Sequence, residues 1–291
     1  MGSKFWNREW DTTPGSELVR HSQKLEMSMN KAASTMNKVA QVTIFFWIMK
    51  ICATTLGETG GDLLSMTMNV GYGVSSLILL SFFFITLLIQ LAAKKFHPVI
   101  YWLVIVSTST AGTTMSDYMD RTLELGYFKG SLILVSCLIL VLAIWRYSEG
   151  TLSVNYIRTK KAEIFYWTAI LFSNTLGTAL GDFLADSSGL GFLGGAILIG
   201  SLLALVVLVY YFTKVNRVVL FWIAFVLTRP FGATFGDVLT KPIERGGLNL
   251  GTIGSSIVLA SILVIFIVYT TIKHKQVARE PELAEEALHS T

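Results

Sequence analysis

Residues 47–71 read WIMKICATTLGETGGDLLSMTMNVG, and three later stretches repeat the pattern: 102–126 WLVIVSTSTAGTTMSDYMDRTLELG, 167–191 WTAILFSNTLGTALGDFLADSSGLG and 222–246 WIAFVLTRPFGATFGDVLTKPIERG. Aligned without a gap, the four copies share a tryptophan (Trp47, Trp102, Trp167, Trp222) and, ten residues on, a glycine (Gly57, Gly112, Gly177, Gly232). An aspartate follows five residues later (Asp62, Asp117, Asp182, Asp237), and a second glycine nine beyond that (Gly71, Gly126, Gly191, Gly246). A repeat this regular sets the architecture before any single residue is weighed.

Around the motif the chain is apolar. It is 53% hydrophobic and 14% charged, with a mean hydropathy of +0.60, whereas a soluble domain carries about 25% charged residues. Apolar segments of about 20 residues, enough to cross a ~30 Å hydrocarbon core, lie near 42–66, 74–94, 98–120, 130–146, 164–186, 194–213, 218–240 and 251–272. The fold predicted is all-α: a polytopic membrane protein of eight transmembrane helices, arranged as four pseudo-equivalent parallel helical hairpins. Each hairpin pairs a motif helix with an aliphatic one. A cytoplasmic N-terminal segment, 1–41, precedes the transmembrane domain, 42–272, and a cytoplasmic tail, 273–291, follows it. The repeats fall at about 42–95, 97–147, 162–213 and 217–272, and the longer middle interval divides them into two halves. Residues 25–42 fit either an amphipathic surface helix or a solvated lead-in, and no run in 1–41 is apolar enough for a signal peptide.

Orientation follows from the basic residues. The N-terminal segment, the loops near 94–97, 146–161 and 214–217, and the C-terminal tail hold 17 of the 23 lysines and arginines. The opposite loops hold Arg121, Lys129, Lys241 and Arg245. Positive charge favours the cytoplasm, so both termini are expected there, and the net charge of +4 is a topology signal rather than a mark of nucleic-acid binding. An even number of helices per repeat gives all four the same polarity, related by an axis along the membrane normal. Cys52 and Cys137 have neither disulfide nor metal spacing and read as packing residues.

Within the motif, small residues one turn apart (Gly57/Gly61, Gly112/Ser116, Gly177/Gly181, Gly232/Gly236) predict close helix contacts. The tryptophans read as membrane-interface anchors, and the later glycines as tight turns. The aspartates have two readings. They could cap the second helix of each repeat, or they could form a site, because a charge within a span is costly and marks function. Lys50, Thr54, Glu58 and Asp62 recur every four residues and form one polar stripe on a helix. Ser109, Thr110, Asn174, Thr175 and Arg229 put polar groups at matching positions, and Pro230 is expected to kink or break its helix. Five embedded acids (Glu58, Asp62, Asp117, Asp182, Asp237) then face two bases, Lys50 and Arg229. That imbalance calls for bound protons or cations.

Carboxylate, hydroxyl and amide oxygens suit Mg²⁺, Ca²⁺ or Mn²⁺. The four histidines lie in tails or loops and the cysteines away from the acids, which argues against zinc and copper. The expected cation ligands are Glu58, Asp62, Asp117, Asp182 and Asp237, supported by Thr54, Thr110, Asn174 and Thr175. Arg229 is expected to pair with the acids. Lys50 is expected either to reach cytoplasmic water or to change places with a transported cation. Glu58 has no counterpart among Thr113, Thr178 and Ala233, while Asp120, Asp186 and Lys241 add charges in later copies. The divergence points to one asymmetric site shared by four helices.

The motifs TTLGETGGD, SNTLGTALGDFLAD and TRPFGATFGD, with the four tryptophans, resemble bacterial membrane proteins built from four tandem copies of a "repeat of unknown function". The resemblance covers about residues 40–272. It implies two transmembrane segments per repeat and a location in the bacterial inner (plasma) membrane, but no activity.

The expected function is therefore that of a transporter or channel for a small cation, foremost a divalent metal such as Mn²⁺. Proton coupling is open to the same carboxylates. The partners are the lipid bilayer, the cation and protons, with no nucleic acid; oligomerisation is left open, and no resident cofactor is expected. The alternatives are a membrane-embedded enzyme on a lipid-like substrate, a transporter of an organic cation, and a structural module. No Ser/His or Cys/His pair is present to support an enzyme, and a structural module would not need a carboxylate in every copy.

Overall fold

In a computed structural model, residues 39–157 and 159–289 are described, so the stretch expected to form a surface helix or lead-in at 25–42 lies almost wholly outside them. Among the described residues there are eight α-helices and no strands: α1 (Ile44–Asp62), α2 (Tyr72–Ala92), α3 (Pro98–Asp117), α4 (Tyr127–Glu149), α5 (Lys160–Asp182), α6 (Gly191–Phe212), α7 (Arg217–Thr240) and α8 (Thr252–His289). Helix starts follow local chemistry. The Thr43, Thr159 and Asn216 side chains accept hydrogen bonds from Phe46, Ala162 and Val218 N–H groups, and Pro98 opens α3 where its missing N–H is not needed.

Five helices are long and apolar enough to cross a membrane: α2, α4, α6, α7 and the first part of α8, Thr252–Lys273. Helices α1, α3 and α5 do not reach that hydropathy because polar residues line their buried faces. Each of these three ends at its aspartate and passes into a π-helical turn (Leu63–Thr67, Tyr118–Thr122, Phe183–Ser187). The chain then turns at a glycine; Gly71 (φ 81°) and Gly126 (φ 72°) sit in a region that favours residues without a Cβ. The fourth repeat differs. Helix α7 runs through Pro230 without interruption, so the expected break is absent. It stops at Lys241, held extended (ψ 157°) ahead of Pro242.

The four motif helices form a closed ring: α1 packs on α3, α3 on α5, α5 on α7, and α7 back on α1. The seam between α3 and α5 is as continuous as the others, so the longer middle interval does not divide the molecule into halves. Instead that linker folds against the ring, with Ile157 buried and Leu152 carbonyl accepting from Trp222 Nε1 at 3.0 Å. The second helices lie outside. Contrary to the hairpin expectation, each one's main partner is the motif helix of the next repeat: α2 on α3, α4 on α5, α6 on α7, and α8 on α1. The glycine edge of each motif helix is occupied by the neighbouring motif helix, so the aliphatic helix finds its apolar groove one step round the ring.

The glycines set the spacing of the ring. A Cβ on Gly57 would lie 2.3 Å from Ser109 Cβ, one on Gly177 2.3 Å from Arg229 Cγ, and one on Gly232 2.5 Å from Thr54 Oγ1. Overpacking of this kind costs about 1–3 kcal/mol. Gly57→Ala is therefore expected to lower the melting temperature in detergent, whereas Gly254→Ala, in open space on α8, leaves it unchanged. Equal melting temperatures for the two variants would contradict this packing.

The tryptophans do not act as interface anchors. Trp102, Trp167 and Trp222 are buried, and Trp47 packs against the same core. At the N-terminal ends of the motif helices, each tryptophan meets the aromatic residue that precedes the tryptophan of the previous repeat. The ring centroids lie 5.8 Å apart for Phe46–Trp102, 5.5 Å for Tyr101–Trp167, 6.5 Å for Tyr166–Trp222 and 5.7 Å for Phe221–Trp47. Tilted and edge-on contacts at these distances are favourable, and a 2.7 Å hydrogen bond joins the Tyr101 and Tyr166 hydroxyls. This rosette closes one end of the ring.

Candidate cation site

From the rosette onward, the ring helices bury matched residues every four positions, about 6 Å of rise apart. The layers are Lys50, Ile105, Ile170 and Phe225; then Thr54, Ser109, Asn174 and Arg229; then Glu58, Thr113, Thr178 and Ala233; and last the four aspartates. All sixteen residues are at most 4% exposed.

Lys50 stays inside. Its Nζ lies 3.4 Å from Asn174 Oδ1 and 4.1 Å from the centre of the Phe225 ring, a cation–π contact. The Asn174 amide donates to Thr108 Oγ1 at 2.9 Å. The expectation that Lys50 reaches cytoplasmic water is corrected: the interior supplies its partners, and the rosette lies one turn beyond it.

Arg229 ties together the middle of the ring. Its Nη1 donates to Glu58 Oε2 at 3.1 Å and to Thr54 carbonyl at 3.4 Å on α1. Its Nη2 donates to Ser109 carbonyl (3.3 Å) and Thr113 Oγ1 on α3, and to Thr178 Oγ1 (2.7 Å) on α5. One guanidinium from α7 thus contacts all three other ring helices and closes the axis at mid-height.

The aspartate layer carries the acids. Arg121 lies across Asp117 and Asp182, with Nε 2.9 Å from Asp117 Oδ1 and Nη2 3.1 Å from Asp182 Oδ2; Asp186 is 3.9 Å away. Lys241 lies across the other two, with Nζ 2.7 Å from Asp62 Oδ2 and 3.1 Å from Asp237 Oδ1. From sequence, Arg121 reads as a topology charge in an outer loop, and Lys241 both as such a charge and as one of the differences between copies that point to an asymmetric site. Both are part of the site. The available signal was their register: each stands nineteen residues after its tryptophan and one helical turn past its aspartate, where i,i+4 pairing is direct.

The five acids named from sequence therefore separate into two groups. Carboxylate oxygens of Glu58, Asp62 and Asp237 lie within 4.8 Å of one another, while Asp117 and Asp182 pair with Arg121. Thr54 and Asn174 line the layers nearer the rosette. Thr110 and Thr175 bond to carbonyls of their own helices (Val106 and Ser107; Leu171) and are not in the site. Asp120 stands apart, accepting from Ser116 Oγ at 3.2 Å and lying against Gly130. Nor do the aspartates cap the second helices; Gly71, Gly126 and Leu190 hold those positions for α2, α4 and α6. Cys52 and Cys137 are free and half-buried. At this end of the ring five buried carboxylates meet three cationic side chains: Arg229, Arg121 and Lys241.

No curated protein and no solved structure matches the chain. The model of one family matches it four times, at residues 45–96, 100–151, 165–216 and 220–276, each match covering one motif helix and the outer helix that follows. The chain belongs to the family described as Repeat of Unknown Function (DUF347), and consists of four tandem copies of that repeat.

Proposed function

We propose that the protein is an integral membrane transporter of a small divalent cation such as Mn²⁺. In this reading all eight helices span the bilayer of the bacterial inner membrane and both termini lie in the cytoplasm. The observation that carries it is the charge at the aspartate end of the ring: five buried carboxylates against three cationic side chains. Buried acid in such excess is stable only with bound cations or protons. The ligand oxygens are hard, as Mn²⁺, Mg²⁺ and Ca²⁺ prefer.

Helices α1, α3 and α5 fit this reading despite their polarity, because their polar layers face the ring while outer helices cover their flanks. The packed axis favours a carrier over an open pore. Arg229 and Glu58 fill its middle and the aromatic rosette its far end, so passage requires the ring to change shape. Protons can occupy the same carboxylates when the metal leaves, and that is the natural basis for coupling. The test is uptake into liposomes holding the purified protein and a metal-quenched dye. Saturable uptake of Mn²⁺ above that of empty liposomes is expected. Absence of flux for Mn²⁺, Mg²⁺ and Ca²⁺ alike would sink the proposal.

A further inference from the structure

The two halves of the aspartate ring are closed by different cations. Arg121 holds Asp117 and Asp182 through two separate nitrogens of a planar guanidinium that remains charged under all ordinary conditions. Lys241 holds Asp62 and Asp237 through one ammonium on a flexible stem. Asp237 Oδ1 is buried and, though 3.1 Å from Lys241 Nζ, receives no hydrogen bond of adequate angle. The third carboxylate, Glu58, occurs only in the first repeat and stands on the lysine side. Two oxygens on opposite sides of a hard cation with bonds of about 2.4 Å are about 4.8 Å apart. The oxygens of Glu58, Asp62 and Asp237 lie within that span.

We propose that Glu58, Asp62 and Asp237 are the ligand set for one divalent cation and that Lys241 is a tethered ammonium in the same place, displaced when the metal binds. Asp117, Asp182 and Arg121 form the fixed half of the ring. The inference rests on the cation-transport reading above and names its site and its guard. Lys241 is built to leave. It follows the last residue of α7 on an extended backbone, and its side chain is 21% exposed, so it can swing outward without unwinding a helix. Its main chain stays anchored by bonds from Lys241 N–H to Asp237 carbonyl (2.8 Å) and from Asn249 N–H to Lys241 carbonyl (3.0 Å). With the ammonium out, three carboxylates and the Arg229 charge beside Glu58 leave two negative charges facing the entering ion. A divalent ion neutralises the site; a monovalent one does not.

The experiment is titration of the purified full-length protein with Mn²⁺, with bound ion counted by electron paramagnetic resonance. Wild type is expected to bind one ion. Lys241→Met removes the competitor and should lower Kd at least about tenfold, which is about 1.4 kcal/mol. Arg121→Met changes net charge equally but acts on the other half, so it should change Kd far less. Lys241→Arg keeps the charge and puts a harder-to-displace guanidinium in place, so it should weaken binding. Equal gains in Lys241→Met and Arg121→Met, or an unchanged Kd in both Lys241 variants, would overturn the guard while leaving cation binding intact. No Mn²⁺ bound by any variant would overturn both this inference and the transport reading.

Discussion

Arg229→Met is expected to be among the most destabilising single changes in the protein, costing about 3–5 kcal/mol. The guanidinium is fully buried and is the partner of Glu58, itself 3% exposed. Removing it strands a carboxylate among helices and takes one donor from the Thr54 and Ser109 carbonyls and from the Thr178 hydroxyl. An uncompensated buried charge costs far more than the intact pair contributes. The companion variant Arg229→Met/Glu58→Leu removes both charges and is expected to regain most of the loss. Unfolding of the detergent-solubilised protein, followed by circular dichroism, measures both. If the single variant loses less than about 1 kcal/mol, or the double variant is no better, the ion pair does not hold the ring as described.

Asp62→Asn is expected to reduce Mn²⁺ flux on the order of 100-fold, equivalent to about 2.7 kcal/mol of lost cation stabilisation. The amide keeps the shape of the side chain but removes an anionic ligand that now faces Lys241 at 2.7 Å. It is a cleaner probe than Glu58→Gln, which also unpairs Arg229. Thr110→Ala and Thr175→Ala serve as controls. Their hydroxyls satisfy carbonyls on their own helices, so flux should stay near wild type. Full flux in Asp62→Asn, or loss in the threonine variants, would place the ion elsewhere.

The sequence and the structure agree most closely along one line. Lys50, Thr54, Glu58 and Asp62 recur at intervals of four, and an α-helix puts such residues on one face. Because the repeat aligns without gaps, every layer of the ring can be read from that stripe. The partners of the stripe were less legible. Arg121 and Lys241 follow the helical aspartates into turns, where charge counting by loop assigns them to water; their pairing depends on a π-helical turn in one case and on Pro242 in the other. The tryptophans misled for a similar reason. A single Trp at a helix start looks like a membrane anchor, and only a closed ring of four aromatic pairs explains its burial. Pairing of the outer helices was hidden for a different reason. Two helices joined by a short turn are expected to pack together, and nothing local shows that the glycine edge is already taken.

That offset packing bears on how the molecule is made. Since the last outer helix, α8, is what covers α1, the first repeat to leave the ribosome is the last to be finished. Its flank stays bare through the synthesis of some two hundred further residues. A chain interrupted before Arg217 has an open seam and a polar face without its neighbours, and one interrupted between Thr240 and Thr252 still has an apolar groove without its cover. Such fragments should be recognised and degraded rather than persist as smaller working units.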